Sequence, residues 1–534
     1  MLTFGSFSYF LCSATQRLTA LTFDAAFLAL FFLAMLLSHQ PAMAQSKGYY
    51  DTLTLAKRMM AEKRITETNR ILEDCEKAHP NMVDVIRLRG QALYWSGDFN
   101  ATLLYFRKSI KNNPTAAVLK MDFGRILFEM NQLDEARLVL TDYFKSVPDD
   151  VEAQIILGTI AYWQGKRPKK AFRYLYPVLT KYPANQRTAD LVNEIHLATS
   201  PYIKISPGYY SDSQPLQAFN LVADAGFYQS SLLQPTLQVQ NRTLSFPAES
   251  VSHHTESLQL GNTFSFLRMK TVAIIKAGVF KRSWTNGVFF TGGLEVNQKL
   301  SKTITLSGSI DRSPYLYTIR SLGNSVMQNN YTASLGRERK ASWNGKATYT
   351  LQQFNDNNQV KSFSVWFLLP VVKSSSFKVD LGYAFYIADS KRNAYVNNKS
   401  LSEITSQYYP GYTITGVYDP YFTPQNQQIH SVLGNLLFIP TRSLKFSIKS
   451  NTGIYAVVDN PYFFLNYDKG HQLALYKGYH PFTYFPFEMR TAVSWALSKK
   501  IVLEAEYLYR KTVFFNSNSA GAGLKVNFWN EKKG

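Results

Sequence analysis

Cysteine is nearly absent: the 534 residues contain two, Cys12 and Cys75. Cys12 falls in a segment read below as a cleaved leader, so one thiol remains and no intramolecular disulfide is available. After that leader the chain has no apolar run of the roughly 20 residues a membrane-spanning helix needs. HExxH, the phosphate-binding glycine loop and GxSxG are all missing. Without them the sequence carries no mark of a zinc peptidase, a P-loop enzyme or a serine hydrolase. The eight histidines are scattered, and the adjacent pair His253-His254 falls in an expected external loop. Acidic residues are few, 37 against 58 Lys and Arg, for a formal charge of +21. The excess is spread rather than gathered into one patch, which argues against a nucleic-acid partner. No catalytic residue, metal site or other cofactor is expected.

Aromatic residues are abundant instead, with 34 Tyr and 37 Phe. Rings with a polar handle gather where one end is apolar and the other wet, as at membrane interfaces. The N-terminus fits an exported protein. Ala25–Leu37 is a short apolar run, preceded by Arg17 and followed by the small-x-small signature Ala42-Met43-Ala44. Residues 1–44 therefore read as a secretory signal peptide, with an apolar core too short to span a bilayer comfortably.

Residues 45–199 read as a helical repeat domain. Gly90, Gly124 and Gly158 recur every 34 residues, and so do Pro80, Pro114 and Pro148. The turn positions Gly97, Asn131 and Gly165 keep the same interval. Three position classes in one register resemble tetratricopeptide repeats. In that unit the small residue lets paired helices approach, Gly or Asn turns the chain, and proline stops the second helix. Ala117–Asp150 is the most regular copy, flanked at about 49–82, 83–116 and 151–184, with 185–199 as a capping helix. Such arrays expose a concave groove. The expected role is a periplasmic platform docking synthase or assembly proteins, with a plain spacer as the alternative.

Beyond Pro201 the period changes to two. Sixteen strands are expected between 202–211 and 519–529, in a domain covering 200–534. In Lys500–Arg510 the apolar set Ile501, Leu503, Ala505, Tyr507 and Tyr509 alternates with a set carrying Glu504, Glu506 and Arg510. A soluble sandwich gives the same alternation. Short turns taking turns with longer loops, an even strand count and the leader favour an outer-membrane barrel. Its fold class is then an N-terminal α-solenoid followed by a 16-stranded antiparallel transmembrane β-barrel. The longest loops are expected at 389–425 and 458–484. Lys445, Lys449, Glu488, Arg490, Glu504, Glu506 and Arg510 are expected to face the lumen, along a hydrated path or paired across the wall.

Two clusters sit at the expected outer ends of strands. One runs Asp311-Arg312-Ser313-Pro314-Tyr315 and continues to Ser321, Leu322 and Gly323. The other is Tyr418-Asp419-Pro420-Tyr421-Phe422-Thr423-Pro424-Gln425. Here the chain resembles bacterial exopolysaccharide exporters, the barrels that serve cellulose synthases and the poly-N-acetylglucosamine porin. It is also similar to YaiO-type outer-membrane barrels. The exporter resemblance implies an outer-membrane porin passing a polysaccharide, its N-terminal domain in the periplasm. On that basis Arg312, Pro314, Tyr421, Phe422, Pro424 and Gln425 are substrate-path candidates, with lipid and the glycan as partners. The YaiO resemblance leaves open a membrane-anchored repeat scaffold without transport.

Overall fold

The computed structural model describes residues 47–165, 167–247, 251–323, 325–339 and 342–529. The leader expected at 1–44 and the tail from 530 lie outside them. The chain forms two compact units that divide between Ser146 and Val147.

Among the described residues the first unit is six helices: α1 (Lys47–Ala61), α2 (Ile65–Ala78), α3 (Val83–Trp95), α4 (Phe99–Asn112), α5 (Ala117–Glu129) and α6 (Leu133–Ser146). The repeat glycines do what their spacing suggests. A Cβ on Gly90 would lie 2.4 Å from the Phe106 ring, and one on Gly124 would lie 2.4 Å from Leu140. Gly97 (φ +84) and Asn131 (φ 59) turn the chain in the left-handed region that Gly and Asn tolerate. Asp98 caps α4 by accepting from the Ala101 N–H at 3.0 Å. One contact has no counterpart in the periodicity. Asp122 of α5, 1% exposed, accepts from Arg87 of α3 at 2.6 Å and from Arg125 at 2.7 Å. A buried carboxylate between two guanidiniums locks the first helices of successive repeats together.

The second unit begins with α7 (Val151–Gly165), α8 (Pro168–Lys181) and α9 (Gln186–Thr199). Gly158 and Leu175 repeat the close approach, at 2.7 Å. The chain then enters the sheet. Its strands are β1 (Tyr202–Asp212), β2 (Gln217–Gly226), β3 (Pro235–Phe246), β4 (Val251–Phe266), β5 (Thr271–Arg282), β6 (Val288–Lys299) and β7 (Ile304–Pro314). After the short helix α10 (Ile319–Gly323) come β8 (Met327–Arg337), β9 (Asn344–Phe354), β10 (Gln359–Lys373) and β11 (Phe377–Ser390). A long connection holds β12 (Tyr395–Val396), α11 (Leu401–Gln407), β13 (Thr413–Ile414) and β14 (Val417–Tyr418). The last strands are β15 (Gln427–Thr441), β16 (Leu444–Tyr467), β17 (Leu473–Tyr484), β18 (Phe487–Ala496), β19 (Ile501–Lys511) and β20 (Asn516–Asn527).

Sixteen of these, β1–β11, β15, β16 and β18–β20, form an antiparallel wall. It closes where β1 meets β20, from Tyr202 opposite Asn527 to Asp212 opposite Ser517. The expected loop 458–484 is instead strand: β16 runs on past the wall and pairs with β17, Pro461 opposite Tyr479. Its dense Tyr and Phe content suits a pleated ladder better than a coil.

Large apolar side chains stand exposed all around the wall, Leu260 at 61% and Phe290 at 62% among them. Directly opposed residues share a face, and Leu444, Trp495, Leu503 and Leu524 form one such row. A continuous apolar outer face is untenable in water and expected in lipid. The protein is a transmembrane β-barrel of outer-membrane type preceded by tetratricopeptide-like helices.

At the short-turn end the helices of this unit bear on the barrel. His196 of α9 stacks on Trp529 at 5.1 Å and 6°, and Lys500 lies 5.4 Å over the same indole. Arg442, in the β15–β16 turn, reaches Asp190 at 3.8 Å.

Asp122→Ala would take the shared acceptor from two half-buried guanidiniums and should destabilise the first unit by about 1.5–3 kcal/mol. Its helical unfolding, followed by circular dichroism at 222 nm, should move to lower denaturant while the strand signal stays put. An unmoved helical midpoint would show that Asp122 is not the tie between repeats.

Candidate functional site

The inner face of the wall is built from the residues that alternate with the exposed row. Lys445, Lys449, Glu488, Arg490, Glu504, Glu506 and Arg510 all lie on it. Most of these charges are paired along the wall. Lys204 reaches Glu504 at 2.6 Å, Arg510 reaches Glu488 at 2.8 Å, and Arg490 lies 3.5 Å from Glu506. Each pair is partly hydrated and worth about 0.2–1 kcal/mol, so these pairs neutralise the surface more than they hold the wall together. Lys445 and Lys449 form no ion pair among the described residues.

Charge is densest on β16, β18–β20 and β1, although Asp224, Arg242, Lys276, Arg282, Glu295 and Lys346 also face inward on other strands. Across β2–β10 the inner face is mainly amide and hydroxyl. Gln240 donates to Asn220 at 2.6 Å, Ser307 donates to Asn297, Thr332 lies 3.4 Å from Thr350, and Gln352 donates to Gln328.

At the long-loop end the candidate residues separate. Arg312 shares its face with Ile310 and is paired across to Asn329, beside the exposed Tyr331. Its guanidinium donates to the Phe290 carbonyl at 3.3 Å and to Asn329 at 3.4 Å. It therefore lies on the outer side of the wall, away from a path through the barrel; Asp311 and Ser313 take the inner side. Pro314 ends β7 opposite Met327.

The second cluster is a tightly anchored loop. Tyr421 is 0% exposed, stacked on Phe354 with ring centroids 3.5 Å apart. Its hydroxyl donates to Asp356, 2.7 and 2.8 Å from the two carboxylate oxygens. Burial pushes the phenol well above its ordinary range, so it remains the donor. Thr423 is buried and accepts from the Ala394 N–H at 2.8 Å. Gln425, next to Pro424, donates to Ser390. Thr318 donates to the carbonyl of Pro420 at 2.6 Å, tying this loop to the one after β7. Tyr421, Pro424 and Gln425 thus help to fix the loop. Tyr421 is fully buried and has no open ring face.

Phe422 differs. It packs on Phe514 at 4.4 Å and Tyr418 at 4.9 Å, and it lines a cavity of ≈ 720 Å³. Tyr315, Trp366, Tyr386 and Phe514 supply further rings there, with Ser364, Glu488 and Arg510 as polar groups. Phe354, Asp356, Trp366 and Phe514 escape a reading of sequence motifs. Phe354 and Asp356 lie at an ordinary hairpin turn, and only alternation places Trp366 inward. The β16–β17 hairpin packs on the connection after β11: Phe463 is buried with Ile404 and Ile414, and Lys477 donates to Asn393 and to the Tyr395 carbonyl at 2.6 and 2.7 Å.

No family model matches the chain, and no curated protein matches it. Among solved structures it is similar to one titled bacterial polysaccharide outer membrane secretin, at 9% identity and TM-score 0.44. That match covers 62% of this chain and 99% of the other. It is also similar to MamA from Desulfovibrio magneticus RS-1, at 18% identity and TM-score 0.26, covering 29% of this chain and 87% of that one. Pseudomonas aeruginosa PilF gives 14% identity and TM-score 0.26, covering 28% and 68%.

Tyr421→Phe removes a hydrogen bond to a charged group, an effect of about 1.5–3 kcal/mol. Tryptic cleavage after Lys391, Arg392 or Lys399 should then speed by about tenfold or more, since cleavage follows local opening. Cleavage at the unmutated rate would mean the loop is held by other contacts.

Proposed function

We propose that this chain is an outer-membrane porin that exports a polysaccharide through its barrel. Its helical repeats work in the periplasm, docking the synthase or assembly proteins that deliver the polymer. The observation that carries the reading is the inner wall. A sixteen-stranded barrel leaves a lumen wide enough for water. The amides and hydroxyls lining β2–β10 both donate and accept, which matches a chain of sugar hydroxyls. Above them the aromatic cavity around Phe422 offers flat apolar faces for sugar rings, with Glu488 and Arg510 beside them as polar readers. No catalysis is assigned to the chain.

The loops at this end are the gate of the proposed path. Leu316 and Leu322 pack inward against Leu244, Phe246 and Phe280 of the wall, and Trp284 donates to the Leu322 carbonyl at 2.9 Å. The same seal favours a second reading, a YaiO-like anchored scaffold that transports nothing.

Conductance separates the two. Tyr315 donates to the Val326 carbonyl at 3.0 Å, so the loop's ends already meet. Residues 316–325 can therefore be replaced by an Asn-Gly turn. In planar bilayers the intact chain should conduct weakly, and the shortened chain at least about tenfold more, since ion flow scales with the open section. Proteoliposomes carrying the shortened chain should also release neutral oligosaccharides. A barrel that stays closed in both forms would eliminate the export reading and leave the scaffold.

A further inference from the structure

Two arginines on the inner face at the long-loop end have no role in the path described. Arg242 of β3 is paired across to Thr255 of β4, and Thr255 to Arg282 of β5. Directly opposed residues share a face, so both arginines rise from the same side of the wall, two strand spacings or about 10 Å apart. It is the side of Leu244 and Phe280, which pack beneath the inturned loop.

Arg282 is 3% exposed. Its guanidinium lies 4.2 Å over the Phe289 ring, with Phe280 at 5.9 Å and Trp284 at 5.8 Å. Rings satisfy the flat face of the cation, but its N–H donors lie in the plane and need oxygen. They find none. Nε and Nη2 of Arg282 and Nε of Arg242 are buried without a hydrogen-bond partner. Oγ1 of Thr285, in the turn after β5, is orphaned in the same way. Among the described residues neither arginine has a carboxylate in an ion pair. A sealed guanidinium without an acceptor is among the costlier things a fold can hold, and the planar fork matches a carboxylate or a phosphate.

We propose that Arg242, Arg282 and Thr285 form an oxyanion site on the inner wall, taking a carboxylate or phosphate group. The anion is either a substituent of the exported glycan or a free ion. The site rests on the orphaned donors alone, so it stands or falls separately from the export reading.

Calorimetric titration of the purified full chain tests it, with inorganic phosphate, D-galacturonate and D-galactose as probes. One phosphate or galacturonate should bind per chain while galactose does not. Affinity should fall by about tenfold or more in Arg282→Gln and in Arg242→Gln, the loss of one charged hydrogen-bonded fork. Arg282→Lys, which keeps the charge without the fork, should also lose most of it. Galacturonate that displaces phosphate assigns the anion to the glycan; phosphate binding that galacturonate leaves untouched assigns a free ion. In case the arginine variants misfold, tryptophan emission of the unmutated chain should respond to phosphate, and Trp284→Phe should abolish that response. Absence of binding at about 10 mM, or equal binding in both Gln variants, would overturn the site.

Discussion

Closure of the backbone ladder is the constraint on which the rest of this structure depends. In lipid no water pairs a free N–H or C=O, so the wall must end where it begins. Here the seam is β1 against β20, and its short-turn end is drawn tight. The Asn527 N–H meets the Lys500 carbonyl and the Phe528 N–H meets the Pro201 carbonyl, both at 2.8 Å. Trp529 follows at once and stacks on His196, so the point of closure is also where α9 is held. Closure fixes register as well. A slip of one residue along β19 would send Glu504 and Glu506 into lipid and bring Leu503 and Tyr507 inside. The ion pairs across β18, β19 and β1 are therefore a consequence of register, and register is set by the apolar outer face.

A barrel of this size must fill its lumen with water or with its own loops. The chain does each at a different level. Through much of the wall the inner face is polar and hydrated in character. At the long-loop end Leu244, Phe246 and Phe280 break that rule, and they are the residues Leu316 and Leu322 cover. Apolar side chains on the wrong side of an otherwise regular alternation thus mark where a loop is folded in. The orphaned guanidiniums of Arg242 and Arg282 lie at this same boundary between wet wall and packed loop.

The repeat glycines and the strand alternation are properties of neighbouring residues, and they carried the architecture plainly. Gly124 predicts its approach to a partner helix, and Lys500–Arg510 predicts a two-faced strand, because both rest on local geometry. Asp122 between Arg87 and Arg125 was not legible, since 35 residues separate Arg87 from its acceptor and nothing periodic announces the pair. The β16–β17 hairpin was hidden for another reason. Its aromatic run has a strand's composition, but only the partner strand shows the pairing. Repeat period and compactness also differ as properties: the period runs on past Ser146, where the compact units divide.

The site was legible as a place and not as a set of contacts. Motif resemblance assigns importance to a stretch, but side-chain parity assigns each member its surroundings. In a strand, Asp311 and Arg312 are neighbours in sequence and opposites in space, so the cation most suited to a glycan faces away from the lumen. In the anchored loop, Tyr421 and Phe422 divide in the same manner. The first is sealed against Phe354 and Asp356; the second, one residue on, is turned to the cavity. The buried residue is what holds the exposed one in position. A loop that must present Phe422 in a fixed attitude needs an anchor of Tyr421's size and hydrogen-bonding power beside it, and Thr318, Thr423 and Gln425 supply the remaining ties. In the proposed path, residues sealed away from the cavity can therefore be as necessary as those that line it.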